Sequence, residues 1–238
     1  VSPHRTKRPW QGKKDKPQQA ELVTYDPNCY LCPGNERAGG AKNPNYTGTY
    51  SFTNDFAALL QSKDEKLQQG LFEAESESGI CKVICYAPNH ALTLPLMEVD
   101  AIVKVIKLWQ TEYEALGSGS DINHVQIFEN KGAIMGCSNP HPHGQIWAQR
   151  SIPQEVQKKV VHQKNYWDKN GRSLLGDYIK QELDAKERIV SENESFVALV
   201  PYWAVWPFET MIVPKRHITA ILELTEQEVA DYASILKE

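Results

Sequence analysis

Two imidazoles stand two residues apart in Asn139-Pro140-His141-Pro142-His143-Gly144-Gln145, flanked by prolines and followed by glycine. Proline fixes φ and glycine lets a ligand approach the backbone, so this segment is stiff where side chains must be aimed and open where something large must dock. An aimed neutral imidazole near pH 7 can act as a base or as a nucleophile. A second cluster is Cys29-Tyr30-Leu31-Cys32-Pro33-Gly34, two thiols across a tight turn, which is how one loop grips a metal. A redox dithiol would sit at the start of a helix, and Pro33-Gly34 starts none. One such pair is half a site. The best remaining donors for a tetrahedral Cys2His2 zinc are His141 and His90, the latter in a polar turn that would equally suit a solvated histidine. With His141 on the metal, His143 stays free and becomes the centre of the site.

Those residues need elements to hold them. Val83-Ile84-Cys85-Tyr86 reads as a buried strand, and Val99, Ile102, Val103, Ile106, Trp109, Tyr113 and Leu116 recur at helical spacing until Gly117. Val125-Gln126-Ile127-Phe128 and Gln145-Ile146-Trp147-Ala148 read as strands around a glycine-rich turn, with His141 and His143 just before the second. Residues 154–167 and 173–187 carry weaker helical patterns separated by Asn170-Gly171, and Ser195–Pro201 and Thr210–Pro214 read as strands. Thr225-x-x-Glu228 is a capping box that opens a last helix. Residues 1–50 hold turn signals such as Asp26-Pro27-Asn28 and Asn43-Pro44-Asn45 and should form loops draped over the core. The strand–strand–helix order at 83–117 returns at 195–238, which predicts an α+β fold from a duplicated unit, mostly antiparallel sheet with helices packed on it. The expected division is 1–150, a helical connector 151–194, and a second unit starting at 195.

Composition narrows the function classes. A chain of 238 residues that is 41% hydrophobic can bury a sizeable core, and a net charge of −4 gives no general attraction for nucleic acid or anionic lipid. Neither an apolar span nor a secretory core is visible, so a cytoplasmic protein with no membrane partner is expected. Five cysteines, an odd number, argue for reduced thiols over a disulfide framework. Val1 is not a methionine and Glu238 stops inside a helical pattern, so the sequence reads as a piece of a longer chain. The basic start, His4-Arg5-Thr6-Lys7-Arg8, keeps one non-enzymatic reading open: a zinc-stabilised nucleotide- or RNA-binding module, marked by a steep salt dependence.

The segment Gly136-Cys137-Ser138-Asn139-Pro140-His141-Pro142-His143-Gly144-Gln145-Ile146-Trp147-Ala148 closely resembles the active-site segment of galactose-1-phosphate uridylyltransferases, distant relatives of histidine-triad nucleotide-binding proteins. Lys7-Arg8-Pro9-Trp10-Gln11-Gly12, Phe52-Thr53-Asn54-Asp55-Phe56-Ala57-Ala58-Leu59, Phe128-Glu129-Asn130-Lys131-Gly132-Ala133 and Trp206-Pro207-Phe208-Glu209-Thr210 resemble the same family in its order. The resemblance implies a ping-pong exchange of galactose metabolism, the Leloir pathway. UDP-glucose gives UMP to His143, glucose 1-phosphate leaves, and galactose 1-phosphate takes the UMP to become UDP-galactose. A related nucleotide phosphorylase or hydrolase with another acceptor is the alternative.

The resemblance also assigns roles. Gln145 would donate to the transferring phosphoryl oxygens and Ser138 would contact the sugar phosphate, although alone they also suit an outward strand residue and a turn hydroxyl. Leu31, Phe52, Asn54, Asp55, Asn130 and Gly136 would form the uridine pocket, where Asn54-Asp55 alone would equally suit a turn. Arg5 and Arg8 would reach phosphates across a homodimer interface, a fork geometry that suits guanidinium over a solvated basic tail. Cys29, Cys32, His90 and His141 would bind one structural zinc per chain. The family's second metal site is left open, since its glutamate falls near Lys159 and its three histidines beyond Glu238.

Overall fold

The computed structural model describes residues 23–61, 65–132, 135–137 and 139–238. In chain order the first elements are β1 (Tyr50–Thr53), β2 (Lys66–Gln69), β3 (Phe72–Glu75), β4 (Gly79–Cys85), α1 (Val99–Gly117), β5 (His124–Phe128) and β6 (His143–Gln149). They are followed by α2 (Gln154–Asn170), α3 (Leu174–Ala185), β7 (Ile189–Glu192), β8 (Phe196–Leu199), β9 (Met211–Pro214) and α4 (Glu226–Lys237). The result is an α+β fold whose strand pairs are antiparallel throughout the described residues.

The sheet that carries the histidines has the order β1-β4-β6-β5. Successive side chains of a strand face opposite ways, and in β6 this alternation is complete: Gly144, Ile146 and Ala148 are buried, while His143, Gln145, Trp147 and Gln149 are part-exposed on the other face. The buried face of the sheet meets α1. Ile84 and Ile146 pack there with Ile102, Val105, Ile106 and Trp109, and Val229 and Ala233 of α4 join the same core. Each such aliphatic side chain contributes roughly 1.5–3 kcal/mol on burial. The helix is pinned in rotation as well as depth, because buried Glu112 takes both carboxylate oxygens to Lys82 Nζ at 2.6 Å and accepts the Ser51 hydroxyl.

The second sheet has the order β7-β8-β9. Every residue of β8 is buried, because α3 covers one face through Ile179 and α4 the other through Ile235. The capping box at Thr225 and Glu228 is present, with the side-chain and backbone contacts in both directions. No helix of the described residues is long and apolar enough to cross a membrane.

Several boundaries differ from the sequence reading. The strand read at Val83–Tyr86 begins four residues earlier, at Gly79. The strand read at Gln145–Ala148 begins at His143, so His143 is its first residue and not part of the preceding loop. Strands β1 and β7 and the β2–β3 hairpin occupy stretches to which the sequence reading assigned no element.

Candidate functional site

The face of the sheet turned away from α1 carries the chemistry. Directly opposed residues of antiparallel strands point the same way, and the register places Phe52 of β1 against Val83 of β4, Val83 against Gln145 of β6, and Gln145 against Phe128 of β5. One row therefore runs Phe52, Val83, Gln145, Phe128 across the sheet. In the next row Tyr50, Cys85 and His143 follow one another. The Cys29–Cys32 loop packs on this face, with Cys29, Leu31 and Cys32 buried against Phe52, Val83 and Cys85.

That loop is tied by its own backbone. Cys32 N–H donates to Cys29 O at 3.2 Å, Leu31 N–H points to Cys29 Sγ at 3.3 Å, and the Asn43 amide donates to the carbonyls of Tyr30 and Cys32. The turn thus presents both thiols inward, where they meet His90 and His141. All four side chains are buried, and their ligand atoms lie within 4.8 Å of one another. Cys32 Sγ is 3.5 Å from Nδ1 of both His90 and His141, and Cys29 Sγ is 3.9 Å from His141 Nδ1. A tetrahedral ion with metal–ligand bonds of about 2.0–2.3 Å spaces its ligands roughly 3.5 Å apart, so the cluster has the dimensions of such a site. The tautomer agrees too: His141 Nε2–H donates to Ala87 O at 2.9 Å, which leaves the Nδ1 lone pair facing the sulfurs. Burial pushes the Cys32 thiol up to about 11 and pulls the His141 imidazolium down to about 4. Thiolates there need a cation among them, and His141 is neutral, as a ligand must be. Asn139, itself buried, accepts from the Cys29 thiol at 3.4 Å and from His141 N–H at 2.8 Å, binding the two loops together.

His143 follows two residues on. Its Nδ1–H donates to the His141 carbonyl at 2.7 Å, which fixes the ring and leaves Nε2 with its lone pair. Two cavities adjoin the imidazole. One, of about 390 Å³, is lined by Leu31, Phe52, Asn54, Asp55, Gln145 and His143 together with Tyr30, Ala38, Phe56 and Val83. The other, of about 480 Å³, includes Asn130, Glu129, Lys131, Cys137 and Asn139 beside His143. Burial holds the Glu129 carboxyl above its usual range, and the Tyr86 hydroxyl donates to it at 3.4 Å.

The structure thus gathers Leu31, Phe52, Asn54, Asp55 and Gln145 around His143 and puts Asn130 in the adjoining cavity. Asn54 does form a turn as well, accepting from Phe56 N–H at 2.9 Å. Gly136 is exposed in a turn at φ 79 and lines neither cavity. Arg5, Arg8 and Ser138 lie outside the described residues. Sequence reasoning gave no role to Arg37, Glu129, Tyr86 or Asn139, although Asn139 stands inside the proline-framed segment and Glu129 inside the segment 128–133 that resembles the family.

Gly144 shows why the residue between His143 and Gln145 must be small. A Cβ there would stand 2.5 Å from the Tyr86 hydroxyl oxygen and 3.2 Å from the Phe128 carbonyl oxygen. Gly144→Ala is expected to destabilise the protein by about 1–3 kcal/mol, as overpacking does, read from the denaturant midpoint. An unchanged midpoint would contradict this close fit.

The comparisons agree with this geometry. Residues 1–153 match the family model described as galactose-1-phosphate uridyl transferase, N-terminal domain, and residues 155–238 the C-terminal domain of the same name. The chain is 50% identical to a Haemophilus influenzae galactose-1-phosphate uridylyltransferase, aligning 100% of this chain with 68% of the relative. It is 47% identical to the Schizosaccharomyces pombe protein of that name, over 99% of this chain and 69% of the relative. A solved structure described as a uridylyltransferase superposes with a TM-score of 0.78 at 25% identity, covering 95% of this chain and 69% of that one. With both halves of its length matched and relatives near half identity, the chain belongs to the galactose-1-phosphate uridyl transferase family.

Proposed function

We propose that His143 carries the uridylyl group in this enzyme through Nε2. As a member of its family the chain is a nucleotidyltransferase that exchanges UMP between UDP-glucose and galactose 1-phosphate. The observation that carries the assignment is the 2.7 Å hydrogen bond from His143 Nδ1–H to the His141 carbonyl, which fixes the ring where it lines both cavities and leaves Nε2 as the nitrogen to react. Nε2 attacks the α-phosphorus of UDP-glucose, the P–N bond forms, and the P–O bond to glucose 1-phosphate breaks. The leaving group is already an anion and needs no proton. In the second half-reaction a phosphate oxygen of galactose 1-phosphate attacks the same phosphorus and the P–N bond breaks, giving UDP-galactose. The carbonyl of His141 stabilises the positive charge that the ring acquires once Nε2 is bonded to phosphorus.

Gln145, two residues along the same face of β6, donates its amide to the phosphoryl oxygens as charge spreads over them. The cavity of Leu31, Phe52, Asn54 and Asp55 takes the nucleoside, with Asp55 or Asn54 toward the ribose hydroxyls and Phe52 against the base. Asn130 and Ser138 belong to the phosphate and sugar side, and Gly136 shapes the turn before them. Cys29, Cys32, His90 and His141 would hold a zinc ion in a structural role, and with four protein donors it would supply rigidity to the loop that aims His143. Arg5 and Arg8 complete the site from a partner subunit of a homodimer, and the free thiols among the described residues suit a cytoplasmic protein.

The test is the choice of acceptor. Full-length protein incubated with UDP-glucose is expected to release glucose 1-phosphate in one stoichiometric burst and to turn over only when galactose 1-phosphate is added. Steady turnover with inorganic phosphate or water in its place would overturn the assignment of the acceptor.

A further inference from the structure

Arg37 takes no part in the reaction as derived above, yet its side chain is only 14% exposed. It belongs to a tight turn closed by the Glu36–Lys42 bridge and by Arg37 N–H donating to Ala41 O at 2.7 Å, with Gly40 in the left-handed region at φ 84. From this turn the guanidinium carbon stands 4.2 Å from the centroid of the Phe52 ring, and Nε stands 3.3 Å from Asp55 Oδ2. Nε is a buried donor without an aligned acceptor, so its contact with Asp55 is an ion pair and not a formed hydrogen bond. Gly39 touches Asp55 from another direction: a Cβ added there would lie 2.8 Å from both Cβ and Cγ of Asp55. Ala38, between them, lines the cavity itself.

We infer that the turn from Arg37 to Gly40 is the wall that positions the nucleoside end of the cavity, with Arg37 holding Asp55 and Phe52 for a ribose and a base. The inference rests on the reading of that cavity as the nucleoside site. A guanidinium laid on an aromatic ring occupies that face, so the base meets only what Phe52 leaves uncovered. The same cation sets the direction of the Asp55 carboxylate, while Gly39 limits where that side chain can go. Both contacts lie at the nucleoside end, away from Nε2 and the phosphorus. Interactions there hold ground state and transition state alike, and their loss appears in KM rather than kcat.

The experiment uses full-length protein and steady-state kinetics with both substrates varied. R37A is expected to raise the KM for UDP-glucose about tenfold or more with kcat within about threefold, the pattern of lost uniform binding. R37K keeps the charge but not the planar fork and recovers only part of that loss. G39A, which changes no charge, shifts the KM in the same direction by displacing Asp55. The KM for galactose 1-phosphate, which carries no nucleoside, stays within about twofold in all three. Should R37A fail to fold, R37K and G39A carry the test. Wild-type KM values for UDP-glucose in the variants, or an equal rise for both substrates, would overturn the inference. Mass measurement of the unsubstituted protein with UDP-glucose separates the two readings. Absence of a uridylyl adduct removes the nucleotide reading itself, whereas an adduct together with unchanged KM values removes only the role of the turn.

Discussion

Replacing His143 with glycine is expected to abolish both half-reactions, lowering kcat by about 10⁴-fold or more, because in the role proposed for it the group lost forms the bond and does not merely assist it. A general base is often partly replaceable and leaves nothing behind, whereas a nucleophile leaves an adduct that can be weighed. UDP-glucose alone should therefore add one uridylyl group to the unsubstituted protein, with glucose 1-phosphate released before any acceptor is present. The adduct should survive base and be lost in mild acid, as a phosphorus–nitrogen bond is. His143→Gly should show no adduct. The substitution also vacates the ring's place between the cavities without touching the His141 carbonyl, so a small imidazole already carrying UMP should restore transfer to galactose 1-phosphate. A stoichiometric adduct on His143→Gly would place the nucleophile elsewhere and remove the central assignment.

Replacing Cys32 with serine should be nearly as damaging by a different route. Cys32 is fully buried and its sulfur is 3.5 Å from Nδ1 of both histidines of the cluster, so serine would take away one of the four donors proposed for the metal and bury a hydroxyl in its place. A loss of about 3–5 kcal/mol in stability is expected, the scale on which breaking a buried charged assembly registers, and metal content should fall from one ion per chain toward none. Activity should fall with it, since His143 hangs from the carbonyl of His141, itself one of the four side chains of the cluster. Strong chelators should lower the melting temperature of the unsubstituted protein and leave that of Cys32→Ser unchanged. If the unsubstituted protein, purified without chelator, holds no metal by elemental analysis, the closed structural site is wrong.

The chemistry of the site was legible in the sequence because it is local. Prolines, glycine and two imidazoles within seven residues describe a rigid aimed loop wherever they occur, and Cys-x-x-Cys needs only its own turn. What was missed is non-local or featureless. Tyr50-Ser51-Phe52-Thr53 alternates aromatic and hydroxyl side chains, but four residues among turn signals are too short a run to mark a strand without β4 beside them. The β2–β3 hairpin is exposed on both strands, so no apolar alternation could mark it; Gly70 at φ 63 was the single available hint. Arg37 could not be singled out, since an arginine in a turn is ordinarily solvated and its burial comes from Phe52 and Asp55, more than a dozen residues away. His143 was placed one element too early because strand ends are set by pairing, here with Cys85, and not by the residue's own preference.

The alternation of β6 carries a consequence for how this protein can change. His143 and Gln145 are two steps apart on a strand whose alternate residues are buried, so their separation is ruled by the pleat and not by a loop. Residues lining the cavities can be exchanged one at a time, and the specificity of the pocket can drift with them. Inserting or deleting a single residue between 143 and 149 is another matter, since it would bring Ile146 and Ala148 to the surface and drive Trp147 into the space beside α1. Descent in this lineage can therefore rewrite letters in that stretch, but its length is frozen.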